Sequence, residues 1–476
     1  MTASPKSWKK RKKLSLMKKY DIIIAGAGAS GVFMSYEMTK LDNTAKILMI
    51  DRGESLEKRI CPISAGQVDC CVKCDPCHIM NGYGGAGAHS DGKYNITTKF
   101  GGELHQYIGE DKAIELMTYV DEALCAMGGQ EAVLYSTDTS GLKTIALQSN
   151  LHLLDAKVRH LGTDRNAEIL RNIFAYTKGR IDTEFGVTLT DVAQLPDGSF
   201  VVNGNNGETY HSKELILATG RSGSKWIAGV SEQLDLGQTK NRVDIGVRVE
   251  LPAVIFKHIT DDVYESKIVY KTDKYNDLVR TFCMNPYGEV VAENTNGIVT
   301  VNGHSYADPA RRTENTNFAL LVSNKFTEPF KDSNEYGESI AKLSNMLGGG
   351  VLLQRFGDLV KGRRSSERRM EKCFTRPTLK ATPGDLSLVI PKRQLDNIIE
   401  MIYALDKIAP GTANEDTLLY GVEVKFYNSQ VNVDENLETR LKGLYALGDG
   451  SGVTRSLSQA AASGVHVARI LAAKYQ

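Results

Sequence analysis

The sequence predicts a doubly wound α/β domain, discontinuous along the chain, with an α+β domain inserted into it. Three observations carry that expectation. An apolar strand runs into a glycine loop, a helix and a second strand within residues 20–51. A second apolar run, Leu215-Ile216-Leu217-Ala218, leads into Thr219-Gly220. A third, Leu444-Tyr445-Ala446-Leu447, leads into Gly448-Asp449-Gly450. Continuous apolar strands that end on glycine suit a parallel sheet buried on both faces, with a ligand crevice at its carboxyl edge.

Residues 1–19 are dense in lysine and form a basic arm, read as a solvated tail or as a contact for an acidic surface. Asp21-Ile22-Ile23-Ile24-Ala25 is rich in β-branched residues, as a buried strand requires. Met34, Met38 and Leu41 then recur at helical spacing, and Ile47-Leu48-Met49-Ile50 closes the unit at Asp51. Residues 111–127 and 164–178 have helical character. Residues 184–218 alternate as short strands, turning at Pro196-Asp197-Gly198 and Asn205-Asn206-Gly207. The stretch 241–435 reads as mixed α+β without a nucleotide signature. A helix unusually rich in small residues closes the chain at 456–473.

Composition narrows the classes. Lysine plus arginine is 58 and aspartate plus glutamate 57, so net charge alone calls for no polyanionic partner. Glycine is in excess at 44 residues, which suits tight turns and close backbone approach to a ligand. No apolar run is long enough to span a bilayer and no secretory leader is evident, so the expected address is cytoplasmic, with no membrane partner.

The loop Gly26-x-Gly28-x-x-Gly31, with Asp51 beyond it, is a dinucleotide-binding fingerprint. Its first glycine permits the turn, its second admits a pyrophosphate to backbone N–H groups, and its third allows helix packing. Ala29 and Ser30 open the helix whose positive end faces the phosphates, while Asp51 and Arg52 fall where ribose hydroxyls are held. No second fingerprint appears, because Gly348-Gly349-Gly350 follows no recognisable strand and lacks the acid.

Recurrence of Ala218-Thr219-Gly220 and Gly448-Asp449-Gly450 resembles FAD-dependent enzymes of the glutathione-reductase-like superfamily. That resemblance implies that Asp449 holds the ribityl chain of FAD and that the final helix aims its N-terminus at the flavin ring. The segments 84–93, 356–365, 377–379, 383–388, 420–427 and 448–455 are more specific. They resemble the bacterial and archaeal family of FAD-dependent dehydrogenases of unassigned substrate, from about Tyr20 to the C-terminus. The resemblance implies that Gly84, Gly85, Ala86 and Gly87 lie along the cofactor, together with Gly220, Gly448, Arg455 and Leu457. The expected domains are an FAD-binding first part at 20–240 with a Cys-rich insertion at 61–77, a substrate domain at 241–435, and a C-terminal FAD-binding part at 436–476.

Five of eight cysteines fall within 61–77. Cys71-x-x-Cys74-x-x-Cys77, with Cys61 or Cys70 as a fourth thiolate, has the spacing of an iron–sulfur site such as a [4Fe-4S] cluster. Structural zinc, a redox-active thiol pair and inert thiols are the alternatives. Electrons for the flavin would come from such a cluster, from NAD(P)H docking transiently, or from a ferredoxin-like donor. Arg363 and Arg364 lie in a basic patch suited to an anionic ligand, or to a solvated helix face. His160 and His304 are candidate proton donors, with a structural role as the alternative for each.

The expected activity is hydride or electron transfer between FAD and a small organic substrate. Two rivals stand beside it. A flavin-dependent reductase of an RNA base would draw on the basic arm and the arginine patch. A flavin and thiol redox sensor would show no small-molecule turnover.

Overall fold

The computed structural model describes residues 17–62, 65–68, 72, 74–90, 92–138, 141–239, 242–263, 265–295, 297–305, 309–324, 326, 330, 332–427 and 429–476. Most of the expected basic arm, and Cys70 and Cys71, lie outside them.

The first sheet is the expected parallel one. Strands Ile181–Phe185, Ile47–Asp51, Lys18–Ala25, Thr209–Leu217 and Leu444–Ala446 lie side by side in that order, all parallel. The alternation along one strand shows why the run is continuously apolar. Ile22 and Ile24 enter the core on one face, and Ile23 and Ala25 enter the core on the other. The first face carries Ala29–Lys40, Glu110–Leu124, Thr163–Thr177 and the C-terminal helix Leu457–Lys474. The second carries Ser224–Gln233 through Ile227 and Val230.

The strand Thr209–Leu217 serves two neighbours on one side. Its early residues pair antiparallel with Phe200–Gly204, and its last three pair with Leu444–Ala446. The far end of the chain thereby returns to the centre of the N-terminal sheet. The first strand begins at Lys18, inside the expected arm, because Lys18 and Lys19 stand opposite Tyr210 and His211 and the Lys18 ammonium meets Glu184 at 2.6 Å.

The second sheet has eight strands in the order Thr382–Pro383, Leu352–Arg355, Leu418–Phe426, Val243–Pro252, Asn315–Asn324, Leu278–Asn285, Ile268–Lys271 and Leu151–Leu153. Its edge strand Leu151–Leu153 comes from within the segment assigned to the first domain, so the chain crosses between the sheets more than once. Val243, Ile245, Val247, Val249 and Leu251 pack on the helices Ala253–Val263, Ser333–Gly348 and Lys392–Asp406. The alternate residues Asp244, Arg248 and Glu250 point the other way and are buried as well. A hairpin, Glu289–Thr295 with Ile298–His304, packs against that polar face. Among the described residues no helix is long and apolar enough to cross a membrane.

Candidate functional site

The three fingerprint glycines are there for different reasons. Gly26 has φ +114°, and a Cβ on it would stand 2.3 Å from the Ala218 carbonyl oxygen. A Cβ on Gly31 would stand 2.1 Å from the Gly26 carbonyl oxygen. Neither position tolerates a side chain, because the chain itself fills the space. A Cβ on Gly28 would meet nothing within 4 Å. Gly28 is the N-cap of the helix that Ala29 and Ser30 begin, so the open space lies at the positive end of a helix dipole.

A second glycine loop lies directly on the first. Gly84 donates its N–H to the Ala27 carbonyl at 2.8 Å, and a Cβ on Gly85 would come within 3.0 Å of the Gly28 Cα. Asp51 fastens the two. One carboxylate oxygen accepts from Ala27 N–H, and the other accepts from Gly53 and Gly82 N–H, all at 2.8 Å. Arg52 beside it forms an ion pair with Asp75 in the Cys-rich segment. Ala86 and Gly87 complete the loop, where a Cβ on Gly87 would strike the Leu457 side chain at 2.7 Å.

Arg59, which the sequence reading did not single out, locks this loop in place. Its buried guanidinium donates to the carbonyls of His78, Ile79, Tyr83 and Gly85 at 2.5–2.9 Å. Burial lowers its pKa to about 10, against the opposing pull of Asp51. An isolated arginine in a loop gives no sequence signal for four carbonyl partners drawn from residues 78–85.

The C-terminal turn closes the site from the other side. A Cβ on Gly448 would stand 2.6 Å from the Ser30 hydroxyl, and one on Gly450 would stand 2.6 Å from the Gly220 carbonyl. Gly220, like Gly28, faces open space. Beside it the buried Thr219 hydroxyl has no hydrogen-bond partner. Asp449 accepts from the Thr454 hydroxyl at 2.8 Å, with the Arg221 Nε 3.9 Å away. Burial nevertheless raises its carboxyl above the usual value. A partly desolvated carboxylate of this kind is a ready acceptor for ligand hydroxyls.

Ser456 caps the final helix by accepting from Gln459 N–H at 3.3 Å. That helix is rich in small residues because it runs against the fingerprint helix, where a Cβ on Gly464 would fall 2.1 Å from the Ser30 carbonyl oxygen. Arg455, just before it, is held by Glu103 at 3.2 Å and lies 4.3 Å from the Tyr427 ring centroid.

These residues fit FAD. Open backbone at Gly28 and Gly220 suits phosphates and ribityl chain, Asp449 and the orphaned Thr219 hydroxyl suit hydroxyl groups, and the loops between them carry almost no side chains.

The other candidates are distributed differently. His160 ends a strand opposite Lys93, and Leu161 N–H reaches the Gly92 carbonyl, so it stands at the end of the second glycine loop. His304 ends the hairpin strand whose Asn302 accepts from Arg248 at 2.8 Å. Arg363 and Arg364 are exposed and not joined to the glycine loops by the contacts described: Arg363 donates to Asp358 at 2.8 Å, and the Arg364 carbonyl accepts from Arg369. Cys61, Cys74 and Cys77 are half-buried, and Cys71 is outside the described residues. Among the described residues no group of three or more metal-ligating side chains is assembled. His89, in the second glycine loop, was not singled out. Burial and then Arg59 lower its pKa, and its buried Nε2 has no partner.

Residues 243–426 match the family described as FAD-dependent protein, C-terminal domain-like. No curated protein sequence matches the chain. Among solved structures, glycine oxidase from Geobacillus kaustophilus is similar over 97% of this chain and 96% of its own, at 10% identity and a TM-score of 0.41. The FAD-bound L-alpha-glycerophosphate oxidase from Mycoplasma pneumoniae is similar over 97% and 96%, at 10% identity and a TM-score of 0.38. Likeness that remote carries no argument about the site.

Proposed function

We propose that this chain, whose residues 243–426 match the C-terminal domain of FAD-dependent proteins, is an FAD-dependent oxidoreductase acting on a small organic substrate. The observation that carries the reading is the open backbone at Gly28, lying at a helix N-terminus between the Gly26 turn packed on Ala218 and the Gly85 loop. When bound, FAD supplies hydride transfer, in either direction, at its flavin ring.

The chain's own residues bind, orient and shield. Backbone N–H groups at the start of the Ala29–Lys40 helix would face the phosphates, since the first turn of a helix has no internal acceptors for them. Asp51 and Arg52 would stand at the ribose, with Asp51 also holding the loops at Ala27 and Gly82. Asp449 would hold the ribityl hydroxyls. Gly84, Gly85, Ala86 and Gly87 exclude water without filling the space a cofactor needs. His304 and His160 are the proton-handling candidates, supported by their places beside the Arg248 side chain and the 84–92 loop. Arg363 and Arg364 are candidates for an anionic ligand at the surface, supported by their exposure alone.

For the electron supply we keep the segment containing Cys61, Cys71, Cys74 and Cys77 as an iron–sulfur site fed by a ferredoxin-like donor, with NAD(P)H docking as the alternative. Support comes from Arg59, which ties the carbonyls of His78 and Gly85 to one guanidinium and so holds the Cys77 end of the segment against the cofactor loop.

Anaerobic purification followed by an absorption spectrum, cofactor release and metal analysis tests the reading. Flavin identified as FAD is the expected result. About four iron and four sulfide per chain would support the cluster, and flavin without iron would remove it. A protein that holds no flavin and takes up none on adding FAD would overturn the function.

A further inference from the structure

The polar face of the eight-stranded sheet gathers three cations at one place. Phe282 is half-buried, and three cations surround its ring: the Lys267 ammonium at 4.1 Å from the centroid, the Arg280 guanidinium at 5.3 Å and the Lys425 ammonium at 5.8 Å. All three are largely withdrawn from water, with side-chain exposures of 8%, 18% and 20%. Their carboxylates are shared. Glu423 meets both Arg248 at 2.8 Å and Lys425 at 3.0 Å. Glu265 meets Lys267 and, at 3.5 Å, Lys93. Asp244 meets Arg280, accepts from the Tyr427 and Ser323 hydroxyls, and feels Arg242.

Bringing ammonium and guanidinium groups together out of water costs several kcal/mol per ion unless negative charge answers them. Here, beside the shared carboxylates, they converge on one aromatic ring, where a cation–π contact returns only about 0.5–2 kcal/mol each. Backbone strain marks the same place, since Cys283, next to Phe282, is a non-glycine residue at φ +47°. Such outliers persist only where surrounding structure imposes them, and they cluster at functional sites.

The cluster also borders the proposed cofactor site. Lys267 lies 5.4 Å from the Phe100 ring, two residues before Gly102, which bridges to Thr454. Tyr427, bonded to Asp244, carries Arg455 on its ring. Phe282 and its cations therefore sit between the polar sheet face and the loop that precedes the final helix.

We infer that Lys267, Arg280 and Lys425 around Phe282 form the substrate side of the site and bind a small organic acid with two or more carboxylates. The inference rests on the oxidoreductase reading for its role as substrate, and on the side-chain geometry alone for its ligand class. Lysine and arginine at mixed distances suit separate carboxylates better than one, with Arg280 able to hold one in a forked contact and the lysines acting as point charges. Phe282 supplies the apolar floor for the carbon skeleton.

Calorimetric titration of the full chain with acetate, succinate, citrate and inorganic phosphate tests this, with and without FAD. Succinate or citrate should bind saturably and at least about tenfold more tightly than acetate, a difference of about 1.4 kcal/mol. Lys425→Met and Lys267→Met should each weaken that binding about tenfold or more, while Lys112→Met, on the exposed side of the helix Glu110–Leu124, leaves it unchanged. Thermal unfolding of each variant identifies any that fails to fold, and Lys425, the least buried of the three cations, gives the variant that decides the matter if Lys267→Met does not fold. Absence of saturable carboxylate binding, equal binding by the variants, or tighter binding of phosphate would each overturn the inference. Failure to take up FAD would remove the oxidoreductase reading while the flavin-free titration still decides the ligand class.

Discussion

The two sheets present surfaces built from opposite materials. On the side of the parallel sheet the surface is backbone: Gly28 and Gly220 face empty space, Gly85 and Gly448 pack too closely on Gly28 and Ser30 to carry a side chain, and Asp51 and Asp449 are among few charges. On the side of the eight-stranded sheet, Asp244, Arg248, Glu250, Arg280, Glu423 and Lys425 crowd one face with buried charge. A cofactor of constant shape can be met by a rigid glycine cradle. A substrate that must be distinguished from its neighbours calls for side chains. The difference also predicts how each surface fails.

The charged face should be the more fragile. Arg248 and Glu423 have side-chain exposures of 0%, so Arg248→Met leaves a buried carboxylate with Lys425 as its remaining close cation. The expected loss is about 3–5 kcal/mol in denaturant unfolding. A loss under about 1 kcal/mol would mean that the face is hydrated.

The glycine cradle should separate stability from binding. Gly26→Ala drives a Cβ into the Ala218 carbonyl at an unfavourable φ and should cost about 1–3 kcal/mol or more. Gly28→Ala meets no protein atom and should unfold within about 0.5 kcal/mol of the parent. Its FAD affinity should nevertheless fall about tenfold. Equal destabilisation by the two substitutions would remove the distinction.

Arg59 lies between these cases, a charge that organises backbone. Arg59→Lys keeps the charge but loses the fork that reaches four carbonyls, so it should cost about 1–3 kcal/mol. Limited proteolysis should then cut within 74–90 faster than in the parent.

The two surfaces should also answer pH in opposite directions. Burial alone would raise the Glu265 carboxyl, but Lys267 and Lys93 outweigh it and bring it to about 2. Its folded value is depressed, so its contribution is complete above about pH 4.3 and is lost as pH falls toward about 2. Glu265→Gln should flatten the stability curve across that window. Asp449 is raised instead, so its charge opposes folding at neutral pH. Asp449→Asn should leave the flavin-free protein as stable or slightly more so, while FAD binds more weakly. A flavin-free variant less stable than the parent at neutral pH would contradict that sign.

The sequence by itself determined the parallel sheet and its cradle. Ile22 to Ala25 and Leu215 to Ala218 are apolar at every position because both faces are covered, and Gly26, Gly28 and Gly31 act within six residues of one another. Local spacing records such features directly. Tertiary structure decided the rest. Asp51 holds Gly82, Arg59 holds Gly85, and Gly448 meets Ser30 across the length of the chain. In Val243–Pro252 the alternation of Asp244, Arg248 and Glu250 with valine and leucine is visible, but alternation ordinarily marks one face in water. Only the packing of the hairpin and the neighbouring loops buries that second face. Only strand register brings Lys267, Arg280 and Lys425 to one ring, because contacts between distant strands leave no periodicity in a single chain.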